Sequence, residues 1–145
     1  MNVLLDTNVL SEVRRPKPDP HVLAWLDGLD EDRAFISVAS IAELRRGVAL
    51  MAEGRRRAAL AAWLADDLPA RFAGRILPID PPIAEHWGDL MATAQRKGFA
   101  LSVMDGFFAA TALAHALVLA TRNTKDFAAL GVPLFDPWAG GSPLG

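Results

Sequence analysis

The feature that most constrains this chain is an alternation. Short apolar runs at Val3 to Leu5, Ala34 to Val38, Ile76 to Ile79, Leu117 to Thr121 and Pro133 to Phe135 are each bounded by polar residues, glycine or proline. Runs of this length read as buried strands. The longer stretches between them, Thr7 to Val13, His21 to Leu29, Ile41 to Ala52, Arg55 to Leu68, Ile83 to Lys97 and Val103 to His115, carry the period of helices. Strands alternating with helices predict an α/β sandwich around a mainly parallel sheet. With 145 residues, 52% hydrophobic and 22% charged, the chain fits one folded domain over 1–138, followed by a flexible tail over 139–145.

Boundary signals mark the helices. Asp19 before Pro20 suits an N-cap and first helical position, and Pro81 and Pro82 open another helix after Asp80. Gly54 and Gly98 sit where helices should end. The segment from Ile41 to Leu68 reads as a helical hairpin. Leu44, Val48 and Met51 share one face of its first helix, and Leu60, Trp63 and Leu64 share a face of its second, which makes a core stripe or a groove for a partner. Trp25, Trp63, Trp87 and Trp138 read as packing residues, and His115 as a core histidine.

Composition removes several kinds of chemistry. The chain has no cysteine, so disulfides, thiolate nucleophiles and thiolate metal sites are excluded. Its three histidines, His21, His86 and His115, form no pair at ligand spacing, which leaves oxygen as the donor for any metal. The weakly polar stretch from Phe107 to Thr121 is shorter than the roughly 20 apolar residues of a spanning helix. Strand pattern begins at residue 2 without a basic region or cleavage site, so the cytoplasm is the expected location. The formal charge is −2, from 17 acidic and 15 basic residues. The basic residues cluster, as at Arg14, Arg15 and Lys17 or Arg122 and Lys125, in the way phosphate contacts require.

Four acids stand out by position. Asp6 directly follows the first strand and precedes Thr7 and Asn8, at the carboxyl end where open α/β sheets bind ligands. Glu43 and Asp105 each lie three residues after a serine, Ser40 and Ser102, which is also the pattern of a helix N-terminal capping box. Asp126 precedes Phe127 in a loop or short helix, where an acid can also serve as a turn or cap residue. All four are expected at strand ends or in the first turn of the following helix, on one edge of the sheet. Carboxylates converging there repel by about 4 kcal/mol per pair at roughly 4 Å with an effective dielectric near 20. A cluster of this kind calls for a cation, and an oxygen-only donor set selects a hard one, Mg²⁺ or Mn²⁺. Thr7, Asn8, Thr121 and Asn123 are the small polar neighbours that would orient carboxylates or waters.

Taken together, Leu5-Asp6-Thr7-Asn8, Ala42-Glu43-Leu44 with Gly47, Asp105-Gly106 followed by Ala109-Ala110-Thr111-Ala112, and Thr121-Arg122-Asn123-Thr124-Lys125-Asp126-Phe127 resemble the PIN-domain ribonucleases from residue 3 to about residue 138. Asp6-Thr7-Asn8 leading into Val9-Leu10-Ser11-Glu12 is similar to the FitB-like branch of the VapC toxins. The resemblance implies a three-layer sandwich with about five mainly parallel strands, and Asp6, Glu43, Asp105 and Asp126 meeting in one acidic pocket. Asp6 and Asp105 would be the principal Mg²⁺ ligands. Glu43 and Asp126 would complete the catalytic set, with Thr7, Thr121 and Asn123 in support. It further implies hydrolysis of RNA phosphodiesters, a homodimer, and a small antitoxin that binds DNA through its own N-terminal part and lies across the toxin.

Three other readings compete. Phosphatases of the haloacid dehalogenase type need a second aspartate two residues after the first, where this chain has Asn8. A Mg²⁺-binding receiver-like module wants adjacent acids near the first strand, and Leu5-Asp6 offers one. A PIN-like module that only binds partners would have no need of all four acids.

Overall fold

In the computed structural model, which describes residues 1–140, five strands form one sheet in the order β3-β2-β1-β4-β5. They are β1 (Val3–Leu5), β2 (Ala34–Ser37), β3 (Ile76–Leu77), β4 (Val118–Ala120) and β5 (Leu134–Phe135), and every pairing is parallel. β1 is central: Val3 pairs with Ala34 on one side and with Val118 on the other. Because all strands point the same way, every carboxyl end lies on one edge. The chain leaves β1 toward β2 on one flank and returns through β4 on the other, so this edge has a crevice at the end of β1, where such sheets bind ligands.

Both faces are covered by helices, as a parallel sheet requires. Side chains alternate along β1, with Val3 and Leu5 in one core and Leu4 in the other. The first core packs the sheet against α1 (Thr7–Glu12), α2 (Pro20–Gly28) and the helical hairpin α3 (Val38–Leu50) and α4 (Arg55–Ala62) with α5 (Leu68–Arg71), through Val9, Leu10, Val22, Val48 and Leu68. The second packs it against α7 (Val103–Ala114) and α8 (Thr124–Phe127), through Phe108, Ala109, Ala112 and Phe127, with Leu90 of α6 (Pro81–Lys97) alongside. Among the described residues no helix is long and apolar enough to cross a membrane. Most of the expected tail, from residue 141 onward, lies outside the described residues.

Several capping signals act as the sequence predicts. Asp19 accepts from the His21 amide, Asp80 from the Ile83 amide, and Gly98 closes α6 in the left-handed conformation. One does not. α3 starts at Val38 rather than Ile41, directly out of β2, and its cap is Ser37, whose hydroxyl accepts the Ala39 amide at 3.0 Å. Two cap-competent serines lie three residues apart, and the first wins because β2 runs into the helix without a loop. Ser40 is therefore buried inside α3, and Glu43 is not the acid of a capping box. Gly54 precedes α4 instead of ending a helix, and His115 is exposed at the end of α7 instead of buried. The second helix of the hairpin also continues past Leu68 to Arg71, through a widened turn at Trp63–Asp67 in which the Leu68 amide reaches back five residues to Trp63. Pro69 explains the widening: it has no N–H to donate, and in a regular turn its ring would press on the carbonyl four residues earlier.

The glycine after Asp105 sets how closely α7 approaches α6. A Cβ at Gly106 would stand 2.7 Å from Met91 Sδ and 2.8 Å from Trp87 Nε1. Trp87 cannot yield easily, because its indole N–H donates to the Val103 carbonyl at 3.0 Å and its ring stacks on Phe107. Gly106→Ala gains about 1 kcal/mol of helix propensity, yet the overpacking costs about 1–3 kcal/mol. A net destabilisation of up to about 2 kcal/mol is expected in urea unfolding. A stabilised variant would show that the two helices have room to spare.

Candidate active site

Asp6 ends β1 and caps α1, and both roles fix its side chain. Its Oδ1 accepts the Thr7 amide at 2.7 Å and its Oδ2 accepts the Thr121 hydroxyl at 2.6 Å, while its own amide donates to the Ala120 carbonyl. The residue is only 5% exposed. Thr121 directly follows β4, the strand beside β1, so parallel pairing delivers the hydroxyl to the carboxylate. Thr121 in turn accepts the Asn123 amide at 3.1 Å, which ties the loop after β4 to the same point.

Glu43 arrives from α3. The Thr7 hydroxyl donates to its Oε1 at 2.6 Å and lies 2.9 Å from the Ser40 hydroxyl. A threonine has one hydroxyl proton, and Glu43 takes it, so Ser40 is the donor to Thr7. The early start of α3 makes this possible: Ser40 and Glu43 occupy the same helical face three residues apart. Asp105 enters from the first turn of α7, half-buried, with its amide held by the Ser102 hydroxyl at 3.1 Å.

These residues line a cavity of 330 Å³ whose wall includes Asp6, Thr7, Asn8, Glu43, Asp105 and Asn123, together with Ser11, Glu12, Arg15, Arg122 and Trp138. Asp126 is not in that wall. It lies exposed on α8, its amide bonded to the Asn123 carbonyl, and its charge is felt at Asp105. Three of the four acids line the cavity, and the charge of the fourth, Asp126, acts on Asp105 ahead of that of Glu43. A larger cavity of 810 Å³ lies between α1, α2 and α4–α5 and is mostly apolar, with Val9, Leu10, Leu26, Trp63 and Phe72 in its wall.

The electrostatics are those of crowded acids. Burial raises the Asp6 pKa from 3.8 to about 6 against the opposing hydrogen bonds from Thr121 and Thr7, and the charges of Asp105 and Glu43 add to the rise. Asp105 is raised as well, first by burial and then by the charges of Asp126 and Glu43, against the Ser102 hydrogen bond. Asn8 Oδ1 is buried without a hydrogen-bond partner, and Asn8 lines the same cavity. Carboxylates that repel one another and an orphaned amide oxygen form a hard, oxygen-only donor set, which fits Mg²⁺ or Mn²⁺. Among the described residues no three His, Cys, Asp or Glu side chains are placed to hold one ion together. The fit is to an ion held by one or two carboxylates and otherwise by water and substrate, which is how Mg²⁺ is usually bound.

Reading the sequence singled out Asp6, Glu43, Asp105, Thr7, Thr121 and Asn123, all of which lie in or against this cavity. It gives Glu12, a buried acid in the wall, no role beyond the segment after Asp6, and reads Trp138 only as packing. Glu12 had one available signal: an acid ending an apolar helix face just before a basic run.

A family model described as the PIN domain matches residues 3–132. The chain is 43% identical over 136 residues to Toxin FitB of Neisseria gonorrhoeae, covering 94% of this chain and 98% of the relative. It is 40% identical over 136 residues to VapC ribonuclease Y4jK of Sinorhizobium fredii, covering 94% and 97%. The crystal structure of FitAcB from Neisseria gonorrhoeae superposes with a TM-score of 0.88 at 43% identity, over 94% of this chain and 98% of that one. A structure of FitAB bound to an IR36 DNA fragment also superposes with a TM-score of 0.88, at 41% identity over 94% and 95%.

The raised Asp6 pKa has a consequence for stability. In the unfolded chain the group loses its proton near 3.8, and in the folded protein near 6. Between these values the folded state holds the extra proton, so stability falls as pH rises through the window and stays reduced above it, by about 3 kcal/mol. Asp6→Asn in the presence of chelator is therefore expected to unfold at higher urea concentration than the parent above pH 6, with the gap closing toward pH 4. A variant less stable than the parent above pH 6 would show that the carboxylate is not strained.

Proposed function

The chain belongs to the PIN-domain family, and on that footing we propose that it is a metal-dependent endoribonuclease toxin of the VapC type, restrained by a small antitoxin. The observation that carries this reading is Asp6: a buried carboxylate at the carboxyl end of the central strand, held by Thr7 and Thr121 and repelled by Asp105 and Glu43.

Asp6 and Asp105 are the residues that would hold the ion, with Glu43 and the Asn8 amide oxygen placed to orient its remaining shell. A divalent cation bound there supplies a more acidic water at neutral pH and neutralises charge on the phosphate and its leaving oxygen. The chain's own residues do the positioning. Thr121 fixes one Asp6 oxygen and Thr7 fixes the other through its amide, so the carboxylate cannot rotate away from the cavity. The Thr7 hydroxyl, backed by Ser40, holds Glu43 in the same way. Asp126 adds negative charge at the rim, and Asn123 anchors the loop that carries it. RNA is the substrate class, as in the relative named a VapC ribonuclease.

For the antitoxin we propose the apolar cavity between α1, α2 and α4–α5, continuous with a smaller one lined by Leu44, Val48, Met51, Leu60 and Trp63. Arg14 and Trp63 line both, in a geometry suited to an amphipathic segment with acidic flanks. DNA would be contacted through that partner, in keeping with the similar FitAB assembly being bound to a DNA fragment, and the toxin itself would pair as a homodimer.

Cleavage of purified RNA in Mg²⁺ tests the reading. EDTA, Asp6→Asn and Asp105→Asn should each abolish it, and Thr121→Val should lower it roughly 10- to 100-fold by freeing Asp6. Cleavage that survives chelation, or both substitutions, would contradict the proposal.

A further inference from the structure

Two arginines line the acidic cavity from separate elements, Arg15 after α1 and Arg122 after β4, and neither is used in the site described above. Each is held by a neighbour. The Arg122 guanidinium lies 5.2 Å from the centre of the Trp138 ring. Trp138 is itself fixed, because its amide donates to Asp136 Oδ1 at 2.8 Å in the turn after β5. Arg15 stands 3.6 Å from Glu12 Oε1. Glu12 is buried, and its other oxygen accepts the Asp19 amide at 3.0 Å.

The arrangement is informative for what it avoids. Arg122 stands beside a group of carboxylates, yet among the described residues it pairs with none of them. The ring face takes the cation and leaves the outward N–H groups free. Arg15 spends one weak contact on Glu12 and is otherwise exposed. Adjacent Arg14, by contrast, lies over Trp63 and faces the apolar cavity. A cavity lined by acids repels the phosphates of its own substrate, so a strand can settle there only if cations flank it. Arginine suits that task, because its planar fork matches two phosphate oxygens at once.

Resting on the ribonuclease reading, we propose that Arg15 and Arg122 form a phosphate clamp that seats single-stranded RNA across the acidic cavity, with Glu12 and Trp138 as the positioning residues for the two guanidinium groups.

The test is binding rather than cleavage. A short fluorescein-labelled single-stranded oligoribonucleotide of mixed sequence is titrated with the full chain carrying Asp6→Asn and Asp105→Asn, in Mg²⁺, across a series of salt concentrations. Arg15→Gln and Arg122→Gln, each added to this background, should weaken binding about tenfold and flatten the log–log salt slope by about 0.7. Trp138→Leu should weaken binding about threefold and leave the slope unchanged, since it loosens Arg122 without removing its charge. Binding by the background protein with affinity and slope untouched by both arginine substitutions would overturn the clamp alone. A Trp138→Leu variant indistinguishable from its parent would overturn the positioning role. Wild-type protein that neither binds nor cleaves RNA at any salt concentration in Mg²⁺ would overturn the ribonuclease reading and the clamp with it.

Discussion

The architecture of this protein turns on one carboxylate placed where it is least comfortable. Asp6 is buried at the end of the central strand with two hydrogen bonds, one from a backbone amide and one from a hydroxyl just past the end of the neighbouring strand. Removing a carboxylate from water costs several kcal/mol even after relaxation. Hydrogen bonds to a charged group return about 1.5–3 kcal/mol each, and here two other acids push in the opposite direction. The balance leaves the folded protein carrying a group that would be more stable protonated, amidated or bound to a cation. Of those three, the last explains why Glu43, Asp105 and the Asn8 amide, all offering hard oxygen donors, share the cavity with it.

The parallel sheet makes this placement inevitable. β4 sits beside β1 in register, Leu5 opposite Ala120, so the residues that follow the two strands, Asp6 and Thr121, emerge side by side. On the other flank β2 runs into α3 with no intervening loop, which carries Ser40 and Glu43 back over the start of α1. The bond from Thr7 to Glu43 and the bond from Thr121 to Asp6 therefore stitch three crossovers to one point. The arrangement is rigid because each anchor belongs to a strand end or a first helical turn, not to a long loop.

Much of this is legible in the sequence. The alternation of short apolar runs and helical stretches gave the sheet class, and caps with a clear partner, such as Asp80 with Pro81 or Ser102 with Asp105, acted as read. The misreadings share a cause: competition between equally good local signals that only tertiary structure decides. Ser37 and Ser40 both suit a cap, and the register of β2 selects Ser37. That choice removed the structural explanation for Glu43, whose capping-box spacing from Ser40 was coincidental. Asp126 stands exposed on the short α8, and its charge still bears on Asp105. The roles of Glu12 and Trp138 are hidden because the contacts that define them join residues distant in sequence or depend on burial.

The central claim is that the acidic cavity exists to hold a hard divalent cation through Asp6, and proton competition tests it most directly. Calorimetric titration of Mn²⁺ into the protein above and below pH 6, in buffers of different ionisation enthalpy, reads both affinity and protons released. Near pH 6, binding should expel part of a proton from Asp6, and affinity should fall as pH drops below that value. Asp6→Asn should abolish that proton release. Binding that is absent in the parent, or that releases the same protons with and without the Asp6 carboxylate, would contradict the account.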